Sequence, residues 1–511
     1  MKRIRRVREK IVLHPIMTFC ILILLTIITS GILTLFNVSA SYNTISTNGS
    51  YVRQFVFVEN LFSLSGLKYI FSNAVSNFVS FTPLSMLIII LIGFGIMDKS
   101  GFLDSLFYIL TKNANKRVVT FILSLICVLA SIVGDLSYIV LIPTAALLFK
   151  YGKRHPKAGI ICAFASMSCG IGINIFMNSI DSSLLSYTTL AASIFTSDYS
   201  ISVFAYVLIM LIAAVVAALI VSDVTERIIV PRLGHYELMD EKEDYLTKRE
   251  KRGLILSLGA GIIYLLIFIY NIIPNAPLGG NLLDYSQTLY IDKLFGYNSF
   301  FNQGFVFVVT LLFFILGLTY GFGSKNFKSG KEVWESLSYS LDKIGKVLVL
   351  IFFASSFIFI FKKSNIGTLI TASLASVISA SEFTGLPLIL LLFIVSALST
   401  LVLPSSISKW AILSASAVPV FMNAGLSPEF ATVIFRAGEC CSYALTPVMA
   451  YFVIYIAFME LYSTDDQEGL FGNIKYLMPY SGFITIMWIV IILAFYLIGL
   501  PLGVGAYPGL W

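Results

Sequence analysis

The chain has 511 residues, of which 58% are hydrophobic and 12% charged, with a formal net charge of +7. A composition this apolar, spread over many runs of spanning length, excludes a water-soluble globule and indicates an all-α polytopic membrane protein. The basic residues sit beside hydrophobic segments and not in one patch, so they mark cytoplasmic loops, and no nucleic-acid partner is expected.

Lys2, Arg3, Arg5, Arg6, Arg8 and Lys10 precede the apolar run Ile16 to Phe36. That run is too long for a signal-peptide core and no small-residue cleavage site clearly follows it, so it reads as an uncleaved first helix with a cytoplasmic N-terminus. The polar stretch Ser39 to Ser65 is then outside, and Pro83 to Met97 returns to Asp98 and Lys99. Between the basic clusters Lys112 to Arg117 and Lys150 to Lys157, an apolar stretch dips once into polarity at Gly134, Asp135 and Ser137. Each arm, Val118 to Val133 and Tyr138 to Phe149, is shorter than the ~20 residues of a spanning helix. Short arms with basic flanks at both ends predict a re-entrant hairpin over 118–150. Irregular backbone at membrane depth is tolerated only where it lines a cavity or a site. Ala158 to Phe195 then crosses as a broken helix over 158–195, its middle crowded by Ser166 to Gly172, Asn174, Asn178 and Asp181 to Ser183. Ile201 to Val221 leads back to a solvated cytoplasmic loop, 222–252, whose seven basic and eight acidic residues divide the chain into halves.

Gly253 to Ile272 goes out, Asn275 to Ser299 lies outside, Phe305 to Leu318 returns, and Lys325, Lys328 and Lys331 mark the cytoplasm again. After Val347 to Phe361, the runs Leu386 to Leu403 and Ala411 to Met422 flank a polar tip at Pro404 to Lys409, which predicts a second hairpin over 386–424. Pro428 to Met459 is a second broken helix over 428–459, polar from Arg436 through Thr446. Hairpin then broken helix occurs in 1–221 and again, inverted, in 253–511, within one integral transporter domain of about nine spans. Discontinuous elements at matching places of two inverted halves point to a midplane binding site. Two features run against the charge rule: Lys362 and Lys363 fall outside in this trace, and the acidic loop Glu460 to Glu468 falls inside.

Few ionisable residues lie at membrane depth: Asp135, Asp181, Lys409, Arg436 and Glu439, all in the hairpins and broken helices. Each costs at least ~2.5 kcal/mol on insertion scales and so needs a partner or a function. Internal neutralisation, for example of Asp181 by Arg436, is one reading, and Lys409 and Glu439 also fit snorkelling near an interface. The fixed guanidinium of Arg436 suits bidentate binding of a substrate carboxylate. Asn174 adds an amide in the first broken helix, and Trp410 can stack on an aromatic ring or fill space. Asp135 and Asp181 can accept Na⁺ together with backbone carbonyls and hydroxyls such as Ser405 or Thr446, or can carry a proton, and the sequence does not choose between the ions. The histidines, His14, His155 and His235, fall at cytoplasmic or interfacial positions and build no mid-membrane relay. The six cysteines, Cys20, Cys127, Cys162, Cys169, Cys440 and Cys441, show no CxxC spacing and read as packing residues. No HExxH or GxSxG accompanies the buried charges, so an intramembrane enzyme is not the expectation. Two tips with different charges resemble a gated ligand site more than a pore ring.

The segments Asp135 to Pro143 (DLSYIVLIP), Arg154 to Phe164 (RHPKAGIICAF), Val230 to Tyr236 (VPRLGHY), Ser364 to Thr368 (SNIGT), Lys409 to Leu413 (KWAIL) and Arg436 to Pro447, with Tyr451 and Phe452, resemble the AbgT family of p-aminobenzoyl-glutamate transporters. The resemblance implies a homodimer of nine-span protomers, each with two re-entrant hairpins and its own pathway. Members take up p-aminobenzoyl-glutamate or export sulfonamide antimetabolites on an ion gradient. Carried over by motif, Asp181, Trp410, Pro428 and Arg436 match pathway positions: Arg436 for the glutamate carboxylates, Trp410 for the aminobenzoyl ring, Asp181 for coupling or for the arylamine, and Pro428 for the start of a broken helix. The chain departs from the family at several places. TLVLPSSISKW stands where NLFIGSASAKW is usual, so Thr400 replaces an Asn and Pro404 a Gly. RAGECCSY stands for RVGDSVTN, with Glu439 for Asp and Tyr443 for Asn, and Asn178 and Ser179 stand for a Gly-Pro pair. Of an N-terminal LPHP, Leu13, His14 and Pro15 remain. The expectation is an ion-coupled secondary transporter of p-aminobenzoyl-glutamate or a related aryl carboxylate in the inner (cytoplasmic) membrane. Its partners are membrane lipid and a second copy of the chain; the coupling cation is Na⁺ or H⁺, and no other cofactor is expected. Proton-driven efflux of sulfonamide-type antimetabolites is the alternative.

Overall fold

The computed structural model describes residues 13–45, 51–133, 136–175, 177–196, 199–234, 246–288, 290–296, 299–342, 344–463 and 469–510. Gly134 and Asp135 at the first tip, the basic residues 2–10, His235 and residues 464–468 lie outside the described residues. The first helix, α1 (Pro15–Leu35), starts at His14, whose imidazole accepts the Ile16 amide at 3.2 Å, with Pro15 in the first turn where its missing N–H costs nothing. The stretch expected as plain polar loop forms an antiparallel pair, β1 (Ser39–Ile45) on β2 (Tyr51–Phe57). Then come α2 (Leu64–Val79), α3 (Thr82–Ser100) and α4 (Phe102–Thr111). The arms α5 (Lys116–Leu129) and α6 (Leu136–Tyr151) precede the broken pair α7 (Pro156–Cys169) and α8 (Ser179–Ala192). α9 (Val207–Val224) passes through a π turn, Thr225–Ile229, into α10 (Val230–Leu233).

The middle of the chain adds α11 (Lys248–Tyr270), α12 (Tyr290–Phe295), α13 (Phe300–Ser324) and α14 (Gly330–Tyr339). α15 (Gly345–Lys363) is followed by α16 (Ile366–Ser379), which fills a stretch the sequence left unassigned. The second hairpin is α17 (Gly385–Val402) with α18 (Ser406–Asn423), the second broken pair α19 (Pro428–Ser442) with α20 (Phe452–Leu461), and α21 (Leu470–Ile498) closes the set. The second tip is shorter than expected: Ser405 caps α18 by accepting the Ser408 amide, so Lys409 and Trp410 stand inside the helix.

Among the described residues nine helices are long and apolar enough to cross a membrane. The number matches the expectation, but the membership differs. Lys116–Val133 and Gly385–Val402, the first arms of the hairpins, qualify, whereas the broken pairs do not. Length alone therefore does not sort these helices, and the places where the arms start and finish show how each pair is folded back. Arg154, just past α6, donates to Thr120 Oγ1 in the first turns of α5 at 2.8 Å and pairs with Glu226. The first hairpin thus leaves where it enters. Gly385, which opens α17, and Phe430, just past α18, both lie against Tyr496. Tyr480, about 24 Å away along α21 at ~1.5 Å per residue, bonds Thr225 beside Glu226 at 2.7 Å. The two hairpins consequently enter from opposite ends of α21.

One residue of each charge exception has a local partner. Lys363 pairs with Glu59 at 2.8 Å, and Glu460 meets His14 at 2.8 Å. The latter contact places the start of α1 and the end of α20 together. Every residue of α7, and every residue of α19 but its last, is buried, so these two helices form the centre. Ala213, Ala214, Ala217 and Ala218 give α9 a small-residue face that allows close approach without a hydrophobic driving force between helices. α11 buries only Gly253, Leu254, Ser257 and Gly261, against α13, and stands at the periphery. The C-terminal segment straps two elements together. The Ile209 amide donates to the Leu502 carbonyl at 3.0 Å, and the Ser427 amide to the Pro508 carbonyl at 2.9 Å, tying the start of α9 to the start of α19.

Candidate functional site

The site grows from the break between α7 and α8. Helix α7 stops at Gly170, and α8 is restarted by Asn178, whose side chain accepts the Ile180 and Asp181 amides at 3.0 Å each. Asp181 returns the favour by accepting the Asn178 amide at 3.3 Å, a reciprocal cap that fixes the carboxylate at the helix start. Asn174, in the irregular segment, donates to the same carboxylate oxygen at 2.6 Å. Gly172 is required there: a Cβ would lie 2.5 Å from the Arg436 carbonyl and 2.9 Å from Cys440 Sγ. The broken segment therefore rests directly on α19.

Opposite it, Ser427 caps α19 by accepting the Phe430 amide, with Pro428 in the first turn. Thr432, Arg436 and Glu439 follow at helical spacing on one face. Arg436 Nη2 reaches Asp181 at 3.3 Å and the Ile171 carbonyl at 2.6 Å, while Nη1 reaches Glu439 at 2.7 Å and Ser406 Oγ at 3.1 Å. The second Glu439 oxygen takes Lys409 Nζ at 2.7 Å, and Lys409 also donates to Thr400 Oγ1 at 2.6 Å. Four charges of opposite pairs thus share one buried cluster, which joins α8, both arms of the second hairpin and α19. The sequence reading of Lys409 and Glu439 as interfacial snorkelling residues is corrected, because both side chains are 0% exposed.

Among the described residues, Arg436 Nε, Asn174 Oδ1 and Tyr206 Oη find no hydrogen-bond partner. Their residues line one pocket with Asp181 and Thr432, a small space of about 10 Å³ beside the start of α9, room for roughly one water. On the other side of Arg436, its partners Ile171 and Ser406 border a cavity of about 450 Å³, walled also by Lys362, Ser405, Tyr443 and Tyr451. A further cavity of about 370 Å³ lies along the same α15–α20 groove, bordered by Val347 and Leu461, toward the end where Glu460 meets His14.

The remaining sequence candidates fall around this centre. Trp410 is fully buried, donates to Thr188 on α8 at 2.8 Å and packs on Phe435 with ring centroids 4.5 Å apart, and it borders neither of the cavities beside Arg436. Ser405 bonds within its own turn, to Ser408 at 3.0 Å, and faces the large cavity, away from Asp181. Thr446 donates to the Leu401 carbonyl at 2.6 Å, which ties the second break to the second tip. Asp135 lies outside the described residues, although Ser131 just before it donates to the Ile173 carbonyl at 2.9 Å and brings the first tip to the same break. The Asp181 carboxylate is met here by donors, Arg436, Asn174 and the Asn178 amide. Among the described residues no group of three or more His, Cys, Asp or Glu could hold a metal ion. Sequence reasoning missed Thr188, Thr432 and Tyr206, and it placed Asn178 in the first break and Ser406 in the second tip without giving either a role at the site. The one signal available was the spacing of Thr432 and Glu439 around Arg436.

The sequence model described as the AbgT putative transporter family matches residues 1–510. The chain is 29% identical over 498 residues to the p-aminobenzoyl-glutamate transport protein of Escherichia coli (strain K12), covering 97% of this chain and 94% of that one. The solved YdaH transporter of Alcanivorax borkumensis is 27% identical over 96% of this chain and 100% of its own, with a TM-score of 0.48. MtrF of Neisseria gonorrhoeae, described within a class of antimetabolite efflux pumps, is 30% identical over 97% of this chain and 98% of its own, also with a TM-score of 0.48. Matched from its first residue almost to its last, this multi-pass membrane protein belongs to the AbgT putative transporter family.

Proposed function

We propose that the protein is an ion-coupled secondary transporter that moves p-aminobenzoyl-glutamate, or a related aryl carboxylate, across the cytoplasmic membrane by alternating access. The observation that carries this reading is the position of Arg436, a buried guanidinium that lines a small pocket and bonds Ile171 and Ser406, two residues on the wall of a cavity of about 450 Å³. That volume falls in the range of small-molecule sites, and its apolar walls with a few convergent hydroxyls suit an aromatic acid. The basic N-terminus and the basic base of the first hairpin support a cytoplasmic N-terminus in the inner membrane. The cavity bordered by Asp98, Lys150 and Val347 would then form the cytoplasmic approach to the site. Hairpins entering from opposite ends support an inverted-repeat core, which would move against a scaffold that includes α1, α11 and α13. The same scaffold would pair two copies in a homodimer. The E. coli relative's name supports the substrate. Na⁺ or H⁺ would be exchanged at Asp181, with Asp135 the second candidate.

Efflux of sulfonamide-type antimetabolites uses the same path in reverse and is favoured by the cavity of about 370 Å³ beside Asp98 and Lys150, toward the proposed cytoplasmic end. The test is uptake of labelled p-aminobenzoyl-glutamate into proteoliposomes, with Na⁺ and proton gradients imposed separately in each direction. Accumulation under one gradient is expected and names the ion. Absence of flux under all four conditions, with sulfonamide transport present, would transfer the assignment to efflux.

A further inference from the structure

Lys409 and its partner Glu439 are the members of the charge cluster that the transport reading leaves without a task. Its ammonium is enclosed by a carboxylate oxygen of Glu439 at 2.7 Å, the Thr400 hydroxyl at 2.6 Å and the face of Phe435, 5.6 Å to the ring centroid. These groups come from α19 and from α17, while the lysine comes from α18, so one positive charge holds three elements together. A carboxylate, a hydroxyl and an aromatic face are what a monovalent cation would be given if it bound there from solution. The charge count makes the same point. Asp181, Glu439, Arg436 and Lys409 sum to zero, and without Lys409 the buried cluster would carry one uncompensated negative charge.

We propose that the Lys409 ammonium is a built-in cation, occupying the place at Glu439 and Thr400 that a free cation would otherwise take, so that no exchangeable ion is bound at the second tip. The consequence for coupling rests on the transport reading, and leaves Asp181, on the far side of Arg436, as the carboxylate of the cluster free to exchange an ion. The charge balance itself does not depend on which substrate is carried.

The test reads stability and needs no substrate. Lys409→Met and the double variant Lys409→Met/Glu439→Gln are purified beside the parent and melted in Na⁺ and in choline at equal ionic strength, and at two pH values. The titratable and charged neighbours of Lys409 are Glu439, Arg436 and Cys440. The single variant is expected to gain roughly 3 °C or more from Na⁺, or from added protons, beyond the parent's own response, because an ion bound only by the folded state raises its melting point. Folding of the single variant only in Na⁺ or at the lower pH supports the proposal equally. The double variant, neutral again, is expected to lose that dependence. A single variant that responds to Na⁺ and pH as the parent does would overturn the proposal. So would failure of both variants to fold under any condition, since the lysine would then matter for packing and not for charge. Absence of p-aminobenzoyl-glutamate transport in the parent, with the cation response of the single variant intact, would refute only the substrate.

Discussion

Removing Arg436 tests the carboxylate site most directly, but alanine alone is a poor choice. The guanidinium holds Asp181, Glu439, Ser406 and the Ile171 carbonyl together. Its loss leaves two buried carboxylates to share Lys409, and breaking a buried ion pair from one side costs about 3–5 kcal/mol. A stability loss of that size would be indistinguishable from a binding defect in a transport assay. The double variant Arg436→Gln/Asp181→Asn removes one charge of each sign, leaves Glu439 with Lys409, and keeps an amide at each position to hydrogen-bond. Its melting temperature is therefore expected to stay within a few degrees of the parent's, about 1 kcal/mol or less in stability. Binding should behave differently. A substrate carboxylate deprived of its charge-assisted partner loses about 2–5 kcal/mol, or roughly 30-fold to 4,000-fold in Kd. Isothermal titration of the purified protein with p-aminobenzoyl-glutamate, run beside thermal unfolding, separates the two effects. A double variant that melts like the parent and binds with the parent's affinity would show that Arg436 is a structural pin and not the carboxylate site.

Asp181→Asn alone should preserve substrate exchange between the two sides of a proteoliposome while abolishing accumulation against a gradient; retained accumulation would move the coupling role to Asp135. Gly172→Ala forces a Cβ to within 2.5 Å of the Arg436 carbonyl and should cost about 1–3 kcal/mol by overpacking, whereas Gly259→Ala, facing open space, should be neutral or slightly stabilising in the same melts. His155, half-buried at the cap of α7 and beside Lys157, has its imidazole pushed down to about 4 by burial first and by Lys157 second. Between about pH 4 and the ordinary 6.5 the unfolded chain binds the extra proton, so its contribution to stability is full above 6.5 and falls as pH drops through that window. His155→Asn keeps a capping side chain and should flatten the part of the acid dependence that belongs to His155; melting curves of the two proteins that stay parallel from pH 7 down to about pH 4 would refute this.

How much of this is legible in the sequence depends on whether a feature is local. The breaks in both broken helices announce themselves through Gly170, Asn174, Asn178 and the polar run after Arg436, because residues that cap or interrupt a helix act on their own neighbours. The first hairpin is legible through its basic flanks, and the second through the polar tip between two apolar runs. Depth is not. Lys409 looks interfacial when the polar tip is drawn from Pro404 to Lys409, and becomes fully buried once Ser405 caps the helix and places the lysine inside it. The pairing of Asp181 with Arg436 could be offered as one of two roles, but nothing in a pair 255 positions apart states that the distance is 3.3 Å. α16 escapes notice because Thr368, Thr371, Ser373 and Ser376 interrupt its apolar character and its 14 residues are too few to span. Tyr206 gives no signal, since its place at the pocket is set by the C-terminal strap on α9.

The neutrality of the cluster bears on why the proposed transporter would need an ion. Arg436 is already satisfied by Asp181 and Glu439, so an incoming carboxylate must displace one of them or bring the buried charge to minus one, an expense that low-dielectric surroundings magnify. Glu439 is the harder to displace, since it is held at 2.7 Å by both Arg436 and Lys409. Asp181 sits at 3.3 Å from Arg436, retains some exposure, and has Asn174 and the Asn178 amide to receive it when it turns away. Protonation or capture of a cation at Asp181 would release one guanidinium edge at the moment the substrate arrives and would restore neutrality with the substrate in place. On this arithmetic ion and anion load together, and the carboxylate that answers to the ion is the one that shares its arginine with the cargo. A variant in which Asp181→Asn binds p-aminobenzoyl-glutamate independently of Na⁺ and pH, with affinity equal to or above that of the ion-loaded parent, is the outcome this predicts. Binding that keeps its ion dependence without the Asp181 carboxylate would break the link between displacement and coupling.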